Sequence, residues 1–282
     1  MHRPQGLSLH IGLNSVDPNH YAGWSGKLNA CQADAEDMYI IAKRQGYSST
    51  LLKTSEATRD AVIAHVRDAA RTLVRGDMYI LSYSGHGGQL PDLNGDEYDL
   101  QDETWCLYDR QIIDDELRLL WGEFAEGVRV LVLSDSCHSG TVTKMAFYGG
   151  PEGTAMRAVE PSTEGEPVQY RYMPPEAAMH TYRENRDFYD ELAESLPQEL
   201  LPIKASVRLI SGCQDNQFSR DGIFNGLFTG RLLRVWSGGR FKGNYQEFHK
   251  KILAWMPPNQ SPNHDFIGTW DAVYDVQKPF TI

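Results

Sequence analysis

Residues 78–88 read Met-Tyr-Ile-Leu-Ser-Tyr-Ser-Gly-His-Gly-Gly, and residues 128–140 read Val-Arg-Val-Leu-Val-Leu-Ser-Asp-Ser-Cys-His-Ser-Gly. Each stretch opens with a short apolar run, 78–83 or 128–133, of the kind that forms a central strand covered on both faces. Each then breaks into a polar turn that holds one reactive side chain, His86 in the first and Cys137 in the second. Two such strands imply a sheet between layers of helix, and the neighbouring sequence agrees. Residues 7–13 predict a buried strand, 34–44 a helix before Gly46, 47–52 a strand, and 58–74 a helix. The last places Ala61, Val62, His65, Val66, Ala69, Ala70 and Leu73 on one face and stops at Gly76. Strands that alternate with helices make the chain an α/β protein with a largely parallel sheet, in which sites form beyond the carboxyl ends of the strands. Both polar motifs sit there.

From about 149 to 204 the composition shifts to Pro, Glu, Arg and Tyr without strand periodicity, which predicts a long connection or flap with one helix at 183–195. Beyond it, 207–210 predicts a strand, 227–236 and 245–256 helices, and 265–267 a last strand. We find no repeat and no low-complexity tract, and 282 residues suit a single domain spanning 1–282.

Composition removes several classes of function. Hydrophobic residues make up 41% and charged residues 23%, which excludes wholesale disorder or a fibrous repeat. The 38 acidic residues outnumber the 27 basic ones, for a net charge of −11, and no Lys/Arg cluster is available to track phosphates. Nucleic acid and anionic membrane are therefore poor partners. Cys31, Cys106, Cys137 and Cys213 form no C-x-x-C pair and are too sparse for a disulfide scaffold, so they are expected to be reduced thiols in a cytoplasmic protein. The chain starts without a signal-like segment and has no apolar run long enough to span a bilayer.

The two motifs carry the chemistry. Glycines around His86 remove neighbouring side chains, let the backbone turn tightly and free N–H groups nearby. Cysteine catalysis needs a thiolate together with an imidazole that lowers the thiol pKa and then protonates the leaving amine. Cys137 as nucleophile and His86 as acid/base fill these roles if the strand ends are adjacent, with the backbone N–H groups of Gly87 and Cys137 as oxyanion donors. His138 is a competing base, but adjacent residues rarely face one another, so it is read as structural. A zinc site built from Cys137, His138 and His86 lacks the usual ligand spacing.

Tyr-Ser-Gly-His-Gly-Gly and Asp-Ser-Cys-His-Ser-Gly, with His and Cys 51 residues apart, resemble the motifs of metacaspases and orthocaspases, members of the caspase-like cysteine peptidases (family C14). Further similar stretches are Asn29-Ala30-Cys31-Gln32-Ala33-Asp34, Ile113-Asp114-Asp115-Glu116 and Ile210-Ser211-Gly212-Cys213-Gln214-Asp215. The resemblance implies a three-layer αβα sandwich and a monomeric endopeptidase that cuts after Arg or Lys through an acidic pocket. The residues matching that pocket are Asp34, Ser84 and Asp135, and a carboxylate pair suits a guanidinium. A plainer reading leaves Asp34 as a helix start and Asp135 as an orienting group for the turn.

The resemblance also raises calcium. Residues 92–103 are rich in hard oxygen ligands, but read as an EF-hand they put Glu97 where the loop needs Gly. As the metacaspase calcium site, Asp102, Asp114 and Asp115 match, while Lys144 stands where a further acid is expected. A lysine there costs a ligand and repels the ion, so no cofactor is expected to be required, and the acidic stretch becomes a solvated face or a substrate-binding edge. Lys144, Arg157, Arg171, Arg183, Arg186 and Lys204, in or beside the connection, are candidates for self-cleavage. Two other functions are weighed: an inactive caspase-like binding module, against which both His86 and Cys137 argue, and a protease with Asp specificity or activation by a partner or second messenger.

Overall fold

In the computed structural model, residues 3–91, 101–136, 169–197, 202–213 and 219–282 are described below. The main sheet has six strands in the order β2-β1-β3-β7-β8-β9. They are β1 (Gly6–Gly12), β2 (Ser48–Lys53), β3 (Met78–Ser84), β7 (Arg129–Asp135), β8 (Ser206–Ser211) and β9 (Asn263–Gly268). The first five run parallel, and β9 closes the edge antiparallel to β8. Helices α1 (Cys31–Arg44), α6 (Leu227–Trp236) and α7 (Tyr245–Leu253) cover one face, and α2 (Arg59–Thr72) with α3 (Asp114–Gly122) covers the other. This is the α/β three-layer sandwich expected from the sequence.

The two-residue period of a strand sorts the core. Tyr79, Leu81, Tyr83, Val130 and Val132 pack with Val62, Val66, Leu117 and Trp121 on the α2/α3 side. Met78, Ile80, Leu131 and Leu133 pack with Met38, Ile41, Phe228, Leu232 and Phe248 on the other. Burying both faces of β3 and β7 is why these runs are apolar almost throughout.

Three features differ from the sequence expectations. A second, three-stranded antiparallel sheet joins β4 (Gly87–Pro91), β5 (Gln101–Cys106) and β6 (Gln111–Ile113). It escapes notice because β4 is glycine-rich and β5, Gln-Asp-Glu-Thr-Trp-Cys, opens on polar and acidic residues rather than on an apolar run. The solvated reading of the acidic stretch therefore fails at its end, where Asp102 is buried in β5; residues 92–100 lie outside the described residues. The single helix at 183–195 is instead two, α4 (Pro175–Glu184) and α5 (Arg186–Ser195), separated at Asn185, whose φ of −118° interrupts the helix. Tyr189 of α5 seals a small cluster with Leu90 and Ile113, so this part of the connection packs on the second sheet. A short helix, α8 (Ala272–Val276), ends the set.

Candidate active site

Backbone pairing brings the two motifs together. β3 and β7 are neighbours, and their ladder sets Ser84 opposite Asp135, so the chain leaves both strands at the same level. By alternation Ser84 and Asp135 share the face of Ile80 and Leu133, the side on which α1 lies. Asp34 stands in the first turn of α1 on that side, and its Oδ2 accepts the Ser84 hydroxyl at 2.8 Å. The three pocket residues expected from the sequence therefore converge on one buried point.

His86 follows β3 and is buried. Its Nε2 lies 3.0 Å from the Gly26 carbonyl oxygen, and Trp24 packs on the ring with centroids 4.8 Å apart. Gly26 has a φ of +50°, and a Cβ there would lie 2.9 Å from His86 Cδ2, so only glycine gives the ring this seat. The Tyr83 hydroxyl donates to the His86 carbonyl at 2.7 Å, and Cys106 N–H donates to the same oxygen at 2.9 Å, which pins the turn to the second sheet. With Nε2 engaged, the buried Nδ1 has no hydrogen-bond partner among the described residues. Burial pushes the His86 pKa down to about 4, so the imidazole is neutral at physiological pH.

The second motif enters through Ser134, Asp135 and Ser136, all buried. Ser134 and Ser136 hydroxyls are 2.9 Å apart, and Cys213 Sγ donates to the Ser136 carbonyl at 3.4 Å. Cys137 and His138 lie outside the described residues, as do Lys144 and Arg157. The other three cysteines are free thiols and buried, and burial pushes Cys31 and Cys106 far above the usual thiol range.

The acidic pocket holds a cation from the chain itself. The Arg171 guanidinium, with no exposed surface, reaches Asp34 Oδ2 at 2.7 Å, Asp135 Oδ2 at 2.9 Å and Asp221 Oδ1 at 2.9 Å. Its Nη1 also donates to Ser84 Oγ at 2.8 Å. Each carboxylate has further donors. Asp34 takes Gly226 N–H at 3.0 Å and Asn225 Nδ2 at 3.0 Å; Asp135 takes Thr229 N–H at 3.1 Å, Thr229 Oγ1 at 2.7 Å and Ser219 Oγ at 2.6 Å. Burial alone would lower the guanidinium pKa, but Asp135, Asp34 and Asp221 raise it well above its usual range. Burial pushes Asp34 up to about 6, although Arg171 pulls it back. Gly226 completes the pocket wall, since a Cβ there would lie 2.5 Å from Arg171 Nη2.

Asp221 was not singled out from sequence. Besides Arg171 it accepts the N–H groups of Asn29 at 2.7 Å and Ala30 at 3.3 Å, just ahead of α1. Its neighbours, Arg220-Asp221-Gly222, resemble any polar loop, so only the fold reveals its place.

The three residues matched to a calcium site fall on two elements. Asp114 and Asp115 open α3, where negative charge suits a helix N-terminus, and Asp102 lies within β5. Among the described residues no group of three or more His, Cys, Asp or Glu side chains could hold a metal ion.

A parallel sheet with a His turn and a Cys-bearing motif at adjacent strand ends, beside a buried acidic pocket, defines a caspase-type architecture. The caspase-domain profile of Peptidase_C14 matches residues 16–267, and the chain belongs to that family, as a member of metacaspase type. Curated relatives include Metacaspase-1 of Schizosaccharomyces pombe, 29% identical over 80% of this chain and 57% of its own, and Metacaspase-1 of Saccharomyces cerevisiae, 30% identical over 80% of this chain and 56% of its own. The chain thus spans a little over half the length of these relatives. Among solved structures, protein GSU0716 from Geobacter sulfurreducens is 55% identical, with a TM-score of 0.88 over 99% of each chain. Caspase-1 from Spodoptera frugiperda is 9% identical, with a TM-score of 0.57 over 95% of this chain and 87% of its own, a likeness of fold alone. No helix among the described residues is long and apolar enough to cross a membrane.

Proposed function

We propose that this chain is a cysteine endopeptidase that hydrolyses protein or peptide substrates after Arg or Lys through Cys137 and His86. The observation that carries the specificity is the enclosure of one guanidinium by Asp34, Asp135 and Asp221, with Ser84 as a fourth partner. A carboxylate substrate would meet like charge there, which disfavours Asp specificity.

In the mechanism, His86 takes the Cys137 thiol proton and the thiolate attacks the scissile carbonyl. The neutral imidazole, with no hydrogen-bond partner for its Nδ1 among the described residues, suits a base waiting for that proton. The N–H groups of Gly87 and Cys137 stabilise the oxyanion; losing one such donor costs about 10² to 10³ in rate. His86 then protonates the leaving amine, and water releases the acyl group. The burial of Cys31, Cys106 and Cys213 supports Cys137 as nucleophile. We propose that calcium is not required, that the protein works in the cytoplasm, and that it acts as a monomer.

The test is hydrolysis of fluorogenic peptides ending in Arg, Lys or Asp by the wild type and Cys137→Ala, with calcium and then with chelator. Cleavage of Arg and Lys peptides by the wild type alone, undiminished in chelator, is expected. Wild-type cleavage of Asp peptides instead would overturn the specificity.

A further inference from the structure

We infer that a cavity on the far face of the sheet from the acidic pocket is an effector site: it takes a small, flat, uncharged aromatic molecule with one polar hydrogen, of the indole class, and its occupancy raises turnover. The effect on turnover rests on the proposed peptidase function; the binding does not.

The cavity has a volume of about 210 Å³ and lies between α3, β5 and the β7–β8–β9 part of the sheet. By strand alternation Val132 and Ser134 of β7 face it, whereas Asp135 faces the Arg171 guanidinium, so the sheet separates the two sites. Trp105, Trp121, Val132 and Leu209 make most of its wall carbon. Leu209 and Ile267 are only half-buried, and Asp114 and Arg118 on the α3 side are exposed, so solvent reaches the mouth.

Size and chemistry select the occupant. A cavity of about 150 Å³ walled by apolar side chains stays dry and binds benzene, so the larger one here suits two fused rings. Two tryptophans in the wall favour an aromatic guest through offset or edge-on contacts. A charge set among carbon atoms loses its hydration without return, which disfavours an ion. Ser134 supplies the polar contact: its hydroxyl is buried and lies 2.9 Å from Ser136 Oγ. A hydroxyl has one donor and two acceptor sites, so Ser134 paired with Ser136 keeps a lone pair for one ligand N–H or O–H.

The cavity touches both halves of the catalytic machinery at one remove. Ser136, the partner of Ser134, directly precedes Cys137 in the chain. On the other side, Trp105 stacks on Tyr83 with ring centroids 4.5 Å apart and planes 5° from parallel, and the Tyr83 hydroxyl donates to the His86 carbonyl. Trp105 also pairs in the β4–β5 ladder with Gly87, whose N–H is a proposed oxyanion donor. A guest seated against Trp105 and Ser134 favours the arrangement in which both turns are held, and turnover rises with the population of that arrangement. The pocket for the substrate arginine lies on the other face, so KM stays where it is.

Full-length wild type, Ile267→Trp and Leu209→Phe are titrated with indole by isothermal titration calorimetry, and hydrolysis of an Arg peptide is recorded with and without indole. Both substitutions enlarge side chains in the cavity wall, away from the catalytic motifs. The wild type is expected to bind at one site with a Kd below about 1 mM, within reach of a ligand this small. The filled variants should bind at least about tenfold more weakly. At saturating indole, wild-type kcat should rise at least about threefold with KM for the peptide unchanged, and the filled variants should not respond. Melting temperatures establish that each variant folds; Leu209→Phe adds less bulk and answers for Ile267→Trp if that chain does not. No binding by the wild type, or equal affinity in a folded filled variant, overturns the site. Binding that leaves kcat unchanged or lowers it overturns the effector role and leaves the site. If the wild type hydrolyses no peptide with or without indole, the peptidase reading falls and the effector role with it, while calorimetry still decides the site.

Discussion

Ser84 and Asp135 stand opposite each other in the β3–β7 ladder and both touch the Arg171 guanidinium, Ser84 through its hydroxyl at 2.8 Å and Asp135 through its carboxylate at 2.9 Å. Strand register, rather than loop conformation, therefore sets the separation of two walls of the pocket. A site held by the sheet keeps its geometry whichever chain supplies the arginine.

Asp135→Asn keeps shape and removes charge. Hydrogen bonds to charged groups contribute about 1.5–3 kcal/mol, so kcat/KM for Arg peptides should fall by about 10- to 100-fold, mainly through KM. The carboxylate also accepts from Thr229 and Ser219, so the melting temperature is measured alongside. A variant that folds normally and hydrolyses Arg peptides at the wild-type KM would remove Asp135 from the pocket.

Asp221 receives both Nε, at 3.3 Å, and Nη2, at 2.9 Å, of Arg171. That side-on fork matches a guanidinium, whereas a lysine ammonium is a single point of charge. Asp221→Asn should therefore lose more activity on Arg than on Lys peptides and narrow the Arg-to-Lys ratio of kcat/KM by about tenfold, one charged hydrogen bond's worth. Steady-state kinetics on a matched peptide pair reads this directly. An unchanged ratio would confine Asp221 to capping the backbone at Asn29 and Ala30.

Gly26→Ala probes the seat of His86. The new methyl would have to displace either the imidazole or Trp24, whose Cη2 lies 2.7 Å from its position, and the backbone φ of +50° disfavours alanine as well. The expected result is a fall in kcat of at least about tenfold with KM for Arg peptides little changed, because the pocket lies on other elements. General acid–base catalysis typically supplies about 10² to 10⁴, so His86→Ala should lose more. If Gly26→Ala raises KM and leaves kcat alone, the ring is not seated for proton transfer.

Much of this site is legible in the sequence because its chemistry sits directly after strands whose apolar runs announce them. The register of β3 and β7 then follows from two buried faces, and with it the meeting of Ser84 and Asp135. Asp34 is readable only as part of a motif, since its role depends on how α1 crosses the sheet. Asp221 and Arg171 are not readable in this way. They lie 50 residues apart, and their pairing depends on a strand-like contact between two irregular segments that no local periodicity encodes. The second sheet is missed for a related reason: β4 begins in the glycines of the His motif, so the same residues serve a turn and a strand.

Acid stability follows from a histidine outside the site. His10 is buried in β1 between the hydroxyls of Ser82, 2.8 Å from Nδ1, and Ser8, 3.0 Å from Nε2, and burial pushes its pKa down to about 3. In the unfolded chain it titrates near 6.5. Between these values the unfolded state holds a proton that the folded state refuses, so stability is full above about pH 6.5 and is lost as pH falls towards 3. Each such group contributes up to about 1.4 kcal/mol per pH unit. His86 and His264, both pushed down to about 4, act in the same direction, while Asp34, raised to about 6, opposes them between its unfolded value and 6. Urea denaturation at pH 7, 6, 5 and 4.5 should show a falling midpoint. In His10→Gln, which keeps a polar side chain between the two serines, the decline should be shallower even if the variant is less stable at pH 7. A slope equal to that of the wild type would mean that His10 does not resist protonation in the folded protein.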